Sequence, residues 1–251
     1  KVSQKYLFEA LGLPMIPSYT FYRKQDALAW VNQTTYPKVF KLRGGAGSVN
    51  VRLVENRRVA QHLVCQAFGR GFPAFSRKAV LDDKVRAFAK KKDFRSLLDI
   101  AFCSARFIFP SKRERTSPRD QGYVYFQDFI AQNEWDTRLV VIGERCIGVR
   151  RYCRKGDFRA SGSGQPAYDL DYFPQEMIAE AFKSAKKLKM QSVAFDFVVH
   201  QGKYLIVEVS YCFIIGAFYD DCPGYWDSDC NWHQEPVDPQ RFIIEDFLKS
   251  S

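Results

Sequence analysis

Two acids carry the clearest chemical signal in this chain. Asp196 lies in SVAFDFVVH and Glu208 in KYLIVEVS, two adjacent runs rich in β-branched and aromatic residues. Their period-2 alternation and the turn residues between them make both runs strands of one hairpin. Alternation puts Ala194, Asp196 and Val198 on one face of the first strand. Tyr204, Ile206, Glu208 and Ser210 are expected to share one face of the second. A three-residue Gln201-Gly202-Lys203 turn, with Gly202 left-handed, sets Asp196 directly opposite Glu208. Like charges facing each other across a sheet destabilise it. A hard cation removes the conflict, and carboxylate oxygens are the ligands Mg²⁺ takes.

A second chemical element is the glycine-rich stretch RGGAGS, Arg43 to Ser48, between the strand-like runs YPKVFKL and NVRLV. Gly44, Gly45 and Gly47 let backbone N–H groups approach phosphate oxygens, and Lys41 can supply a point charge. No Gly-Lys-Ser/Thr follows and the next element is a strand, so neither a P-loop nor a Rossmann fingerprint is present. A flexible hairpin with no ligand would read the same way.

The elements that must position these residues are legible in outline. Val2 to Leu11 has helical apolar spacing stopped by Gly12, and Pro14 and Pro17 force an extended segment. Asp26 to Val31 reads as a short helix, and helical spacing also runs from about 84 to 106. YVYFQDFI reads as a strand, and DTRLVVIG with ERCIGVRRY as a hairpin turning at Gly143-Glu144. PQEMIAEAFKSAKKLKM is an amphipathic helix with Pro174 in its first turn and lysines at its C-terminus. The aromatic tail YDDCPGYWDSDCNWH is irregular, and a helix over Pro239 to Leu248 ends the chain.

Composition bounds the class. The 251 residues, 46% hydrophobic and 16% aromatic, suffice for one large or two small globular domains. No run of about 18 apolar residues offers a transmembrane span. Seven cysteines without a Cys-x-x-Cys pair point to a reducing, cytoplasmic setting. Cys222, Cys230 and His233 match no standard zinc spacing. His200, at a strand end, reads as structural, and Tyr225, Trp226 and Trp232 either line a pocket or simply pack. The net charge is +10, and thirteen Lys/Arg against five acids between Arg77 and Arg119 leave a surplus of eight there. That segment is either a solvated face or a landing surface for an anionic partner. No nucleic-acid motif accompanies it, so nucleic acid is not expected. A homo-oligomer stays open.

Taken in order, the opening helix with GLPMIPSYT, then VFKLRGGAG, YFQDFI, DTRLVVIGERCIGVRR, KGDFRAS and AFDFVV…LIVEVS resemble the ATP-grasp superfamily. The likeness is nearest to its glutathione-synthetase and ribosomal-protein glutamate-ligase branch and runs from Lys1 to about Ser210. It implies an α+β fold whose two subdomains, each with an antiparallel sheet, clamp ATP between them. Their expected extents are 1–126, carrying the flap and a basic insertion at about 65–121, and 127–251, carrying the metal site and the tail. The pre-ATP-grasp domain of such proteins is expected to be absent from this chain, with an N-terminal portion missing before Lys1.

The resemblance also implies roles. Lys1 and Lys41 match phosphate lysines, and Gln127, Asp128, Phe129 and Ile130 match the hinge that reads adenine. Asp136 falls where the family contacts nucleotide or positions the arginine two residues on. Arg138, Arg150, Arg151 and Arg159 align with basic positions near the γ-phosphate and substrate carboxylate, Arg150 and Arg159 being favoured. Arg150 and Arg151 alternate faces, so only one can point into the site, and both could be ordinary strand residues. Asp196 and Glu208 match the Mg²⁺ ligands. Ser210 stands where the family has Asn; a hydroxyl is a poorer ligand but can bind through water. Tyr211-Cys212-Phe213 replaces the usual Pro-Gly.

The implied activity is ATP-dependent ligation: a carboxylate is activated as an acyl phosphate and joined to an amine, releasing ADP and phosphate. A phosphotransferase acting on a hydroxyl and a non-catalytic nucleotide-binding module are the alternatives. The DFVV…EVSY run and the CPGYWD…NWH tail resemble those of ATP-grasp proteins from bacterial surface-polysaccharide clusters, which implies a glycan-linked or uronate carboxylate as one expectation for the substrate.

Overall fold

The computed structural model describes residues 1–44, 50–73, 85, 98–102, 104, 118–153, 158, 160, 166–213, 219 and 221–249. Gly45, Gly47, Arg159 and most of the basic segment lie outside the described residues. The chain forms two compact units, Tyr19–Phe129 and a second made of Lys1–Ser18 with Ile130–Ser251. This differs from the expected division at 126/127, because the opening helix packs with the later part of the chain. Phe8 and Leu13 enter the core that Phe195 and Ile206 also build, and Met15 bridges Ile206 in parallel.

The Tyr19–Phe129 unit contains, among the described residues, a four-stranded sheet. Its strands are β1 (Ser18–Phe21), β2 (Lys38–Lys41), β3 (Val51–Val54) and β4 (Val124–Asp128), in the order β1-β4-β2-β3. Helices α2 (Lys24–Gln33) and α3 (Arg57–Ala67) belong to the same unit. Their Ala27, Val31, Ala60, Leu63, Val64 and Ala67 pack on Phe40, Val54, Val124 and Phe126 of the sheet. Each fully buried phenylalanine contributes roughly 1.5–3 kcal/mol relative to exposure. Alternation leaves Lys41, Tyr125 and Gln127 on the opposite face. The sequence reading missed α3, although Asn56 caps it by accepting from Val59 N at 3.1 Å.

The second unit holds, among the described residues, a seven-stranded sheet of order β11-β10-β6-β5-β8-β9, with β7 paired to β6. Here β5 is Trp135–Ile142, β6 Arg145–Tyr152, β7 Pro166–Ala167, β8 Ser192–His200 and β9 Lys203–Ser210. The tail expected to be irregular supplies β10 (Tyr225–Asp227) and β11 (Trp232–His233). Helix α1 (Val2–Leu11) ends at Gly12 with φ 58°, as its sequence requires. Helix α4 (Gln175–Leu188) turns Met177, Ile178, Ala181 and Ala185 onto the sheet. Pro174 is its N-cap rather than a first-turn residue. On the opposite face, Val140, Ile142, Ile147 and Ala194 pack with Phe242 of α5 (Pro239–Lys249). Arg145 ties α5 down through Glu245 at 2.8 Å and Asp246 at 3.0 Å.

The β8–β9 hairpin reaches the expected pairing by another route. The turn has two residues, Gln201 at φ 51° and Gly202 at φ 73°, so His200 pairs with Lys203. Alone, that register would place Val207 opposite Asp196. A register shift between Asp196 and Phe197 skips Val207 and restores Asp196 opposite Glu208. The shift also separates faces that simple alternation joined. Ile206 pairs with buried Phe197 in the core, while Glu208 and Ser210 share the other face with Asp196 and Ala194.

Candidate functional site

The polar end of that second face is assembled from four adjacent strands, β6, β5, β8 and β9. On β5, Asp136 pairs with Arg151 of β6 in the ladder, and Arg138 pairs with Asp196 of β8. Glu208 stands beside Asp196 on β9, followed by Ser210 opposite Ala194. Four charged residues of opposite sign are therefore within reach of one another. Arg138 donates to both Asp196 oxygens, Nε to Oδ1 at 2.7 Å and Nη2 to Oδ2 at 2.9 Å. Arg151 holds Asp136 in the same bidentate manner, at 2.6 and 2.7 Å, and reaches Asp196 Oδ1 at 2.9 Å.

Arg151 and Asp196 are buried, Asp136 and Arg138 half-buried, the ring is neutral overall, and its two acids respond differently. Burial and the Asp196 charge push the Asp136 carboxyl up to about 6, against the pull of Arg151. Burial would raise Asp196 as well, but Arg151 and Arg138 outweigh it and hold that carboxyl at about 2. Lys1, at the N-cap of α1, brings its ammonium to 3.5 Å from Glu208 Oε1. Gln4, one turn on, donates to the Val209 carbonyl at 2.6 Å and fixes the helix to β9.

Two expectations change here. Asp136 engages Arg151 rather than the arginine two residues on, because β6 presents Arg151 directly opposite it. Arg150, favoured as a catalytic residue, points to the other face of the sheet through strand alternation. Its guanidinium stacks on Trp135 at 4.6 Å and Tyr172 at 3.9 Å, and Nη2 donates to the Tyr172 carbonyl at 3.2 Å. Arg151 takes the place beside the acids. The parity of Arg151 with Asp136 across a two-residue hairpin turn was the signal for it.

A second group of predicted residues meets within the Tyr19–Phe129 unit. Lys41 Nζ donates to Gln127 Oε1 at 2.6 Å, both side chains being buried. Asp128 accepts from Lys38 at 2.6 Å, a partner that the sequence reading passed over. Lys38 also lies over the Tyr19 and Trp30 rings. Phe129 and Ile130 follow directly and are half-buried. The described root of the glycine stretch is anchored: Arg43 Nε donates to Asp120 at 2.9 Å, and its backbone N–H to the Tyr123 hydroxyl at 2.7 Å. Gly44 adjoins the same carboxylate, which an added Cβ would approach to 3.7 Å.

The donors around Asp196 suit a hard cation in kind. Among the described residues no three His, Cys, Asp or Glu side chains form a complete metal cluster. Two carboxylates and a hydroxyl on one face match Mg²⁺, which takes one or two protein carboxylates and completes its shell with water and phosphate oxygens. Asp227 is engaged elsewhere, accepting from Asn231 N at 2.8 Å and lying 2.8 Å from His233 Nε2.

No protein-family model and no curated protein matches the chain. Solved structures do match it. N5-carboxyaminoimidazole ribonucleotide synthetase in its ADP complex aligns with TM-score 0.53 and 13% identity, over 90% of this chain and 48% of that one. Phosphoribosylamine–glycine ligase from Thermotoga maritima aligns with TM-score 0.51 and 15% identity, over 83% and 46%. The ATP-grasp ligase PsnB, complexed with a precursor peptide and AMPPNP, aligns with TM-score 0.51 and 13% identity, over 99% and 57%. The chain thus spans about half the length of the structures it matches. It has the ATP-grasp fold.

Proposed function

We propose that the chain supports ATP-dependent ligation, activating a carboxylate as an acyl phosphate and joining it to an amine with release of ADP and phosphate. The observation that carries this reading is the pairing of Asp196 with Glu208 on one sheet face, with Lys1 at Glu208 and Arg138 and Arg151 at Asp196. Carboxylates, lysine and arginines in one cluster suit a centre where metal and phosphate charge must be balanced. The fold, and the identity of similar solved structures as two ligases and a synthetase, support this reading.

Asp196 and Glu208 would hold Mg²⁺, with Ser210 contributing directly or through water. A metal held there would supply positive charge to balance that of the phosphates. Lys1 and Lys41 supply fixed positive charge to phosphate oxygens, and the buried Gln127 holds the Lys41 ammonium in place. Gln127, Asp128, Phe129 and Ile130 remain the proposed adenine-reading segment. Gly44, with Gly45 and Gly47, would bring backbone N–H groups to phosphate. Arg138 and Arg151 replace Arg150 as the arginines that stabilise charge developing on the transferred phosphoryl group. Arg159 keeps its proposed role near the substrate carboxylate.

The test is product analysis. With ATP, Mg²⁺ and panels of uronic and amino acids, phosphate release should require both a carboxylate and an amine, and hydroxylamine should trap the activated carboxylate as a hydroxamate. Asp196→Ala with Glu208→Ala should lower turnover about a hundredfold or more. Phosphate transferred to a hydroxyl acceptor, or full turnover in the double variant, would overturn the proposal.

A further inference from the structure

Strand β3 closes one side of the four-stranded sheet, whose order is β1-β4-β2-β3. Leu42 donates its N–H to the Asn50 carbonyl at 3.2 Å, so the pairs Phe40–Arg52 and Lys38–Val54 of the same register are the hydrogen-bonded ones. Val51 and Leu53 therefore turn their N–H and C=O groups away from β2, toward an edge that no described strand covers. Such a row of donors and acceptors is a template for a further strand.

Beside this edge a groove of about 320 Å³ runs between β3 and α3, wholly within the Tyr19–Phe129 unit. Leu53, Val59 and Leu63 are its apolar lining, and Val59 is 42% exposed there. Arg52, Arg58 and His62 complete the lining, and no acid contributes to it. All three basic side chains are exposed. Arg52 lies over the Phe72 ring at 5.7 Å, and none of the three has an ion-pair partner among the described residues.

Edge and groove together favour one kind of occupant. A nucleic acid or free phosphate answers the arginines but leaves the Val51 and Leu53 carbonyls and the apolar lining unmatched. A second copy of this chain, pairing β3 with β3, would bring two sets of Arg52, Arg58 and His62 together, and like charges across a strand pair destabilise it. An extended peptide supplies backbone donors and acceptors at the spacing of the edge. We propose that β3 and α3 form a docking groove for an extended acidic segment of a partner protein, added beside β3 as another strand. Every second side chain of that segment enters the groove, acids meeting Arg52, Arg58 and His62 and an apolar residue between them covering Val59 and Leu63. The inference is independent of the metal site and of the proposed reaction.

The probe is the heptapeptide Thr-Glu-Thr-Leu-Thr-Glu-Thr, capped at its C-terminus and labelled with fluorescein at its N-terminus, and the readout is its anisotropy. Titration with the wild type should saturate, and lysine in place of both glutamates should weaken binding about tenfold or more. Leu53→Pro removes an outward N–H without touching the β2 ladder, a change an edge strand tolerates, and should weaken binding several-fold. Arg58→Glu with His62→Glu, on the exposed side of α3, should weaken it about tenfold and guards against a folding defect in the proline variant. Absence of saturable binding to the wild type overturns the groove, as does equal binding of the lysine peptide or unaltered binding in both protein variants. A wild type that sediments as a dimer, with Leu53→Pro a monomer, would assign the edge to a second copy and overturn the proposal.

Discussion

Asp136 and Asp196 share one arginine and bear opposite consequences for stability. The folded pKa of Asp136, about 6, lies above its unfolded value of roughly 3.9. The folded state therefore binds the extra proton between about pH 4 and pH 6, and stability falls as pH rises through that window. Asp196 is displaced the other way, so its contribution is complete above its unfolded pKa and is lost only as pH falls toward about 2. Urea unfolding from pH 4 to 7 should show the decline in the wild type and a flatter profile in Asp136→Asn. An equal slope in both proteins would remove Asp136 as its source. At this scale the sequence disclosed the residue types but not their partners. Arg151 outranks Arg150 because of a single step in strand parity, and Lys38 gave no hint that Asp128 would meet it across β2 and β4.

Elements decide which of these residues meet. The β8–β9 hairpin combines a two-residue left-handed turn with a bulge, and the two offsets cancel at Asp196 and Glu208. The facing acids were legible from alternation, whereas the bulge was not, since Val207 is as good a strand residue as its neighbours. Gln201 is a non-glycine residue at positive φ in the first turn position, where Asn is strongly preferred. Gln201→Asn should stabilise the protein by a few tenths to about 1 kcal/mol, and Asn56→Ala, which removes the cap of α3, should destabilise it by about 0.5–2 kcal/mol. Thermal denaturation distinguishes the two signs; stabilisation by Asn56→Ala would contradict the cap. Helices α1 and α4 were readable because glycine, proline and periodic apolar residues agree along them. Helix α3, one residue longer than α1, carries Ala60, Leu63, Val64 and Ala67 at helical spacing behind the Asn56 cap, a signal that was legible in the sequence and was passed over.

The whole molecule consists of two units, each with its own sheet and core, and the polar clusters divide between them. Lys41, Gln127 and the root of the glycine stretch belong to Tyr19–Phe129. Lys1, Arg138, Arg151, Asp196 and Glu208 belong to the other unit. The order of motifs along the chain made the fold readable, because each motif specifies a local backbone requirement and the fold fixes their succession. The grouping of Lys1–Ser18 with the later unit depends on long-range packing of Phe8 and Leu13, for which the local sequence has no marker.

The central claim is that Asp196 and Glu208 form the metal end of a nucleotide site. Calorimetric titration of ADP with and without Mg²⁺, in the wild type and in Asp196→Asn with Glu208→Gln, tests it most directly. Mg²⁺ should tighten ADP binding by about tenfold or more in the wild type, and the double variant should retain metal-free ADP binding while losing that gain. An undiminished Mg²⁺ effect in the double variant would contradict the account.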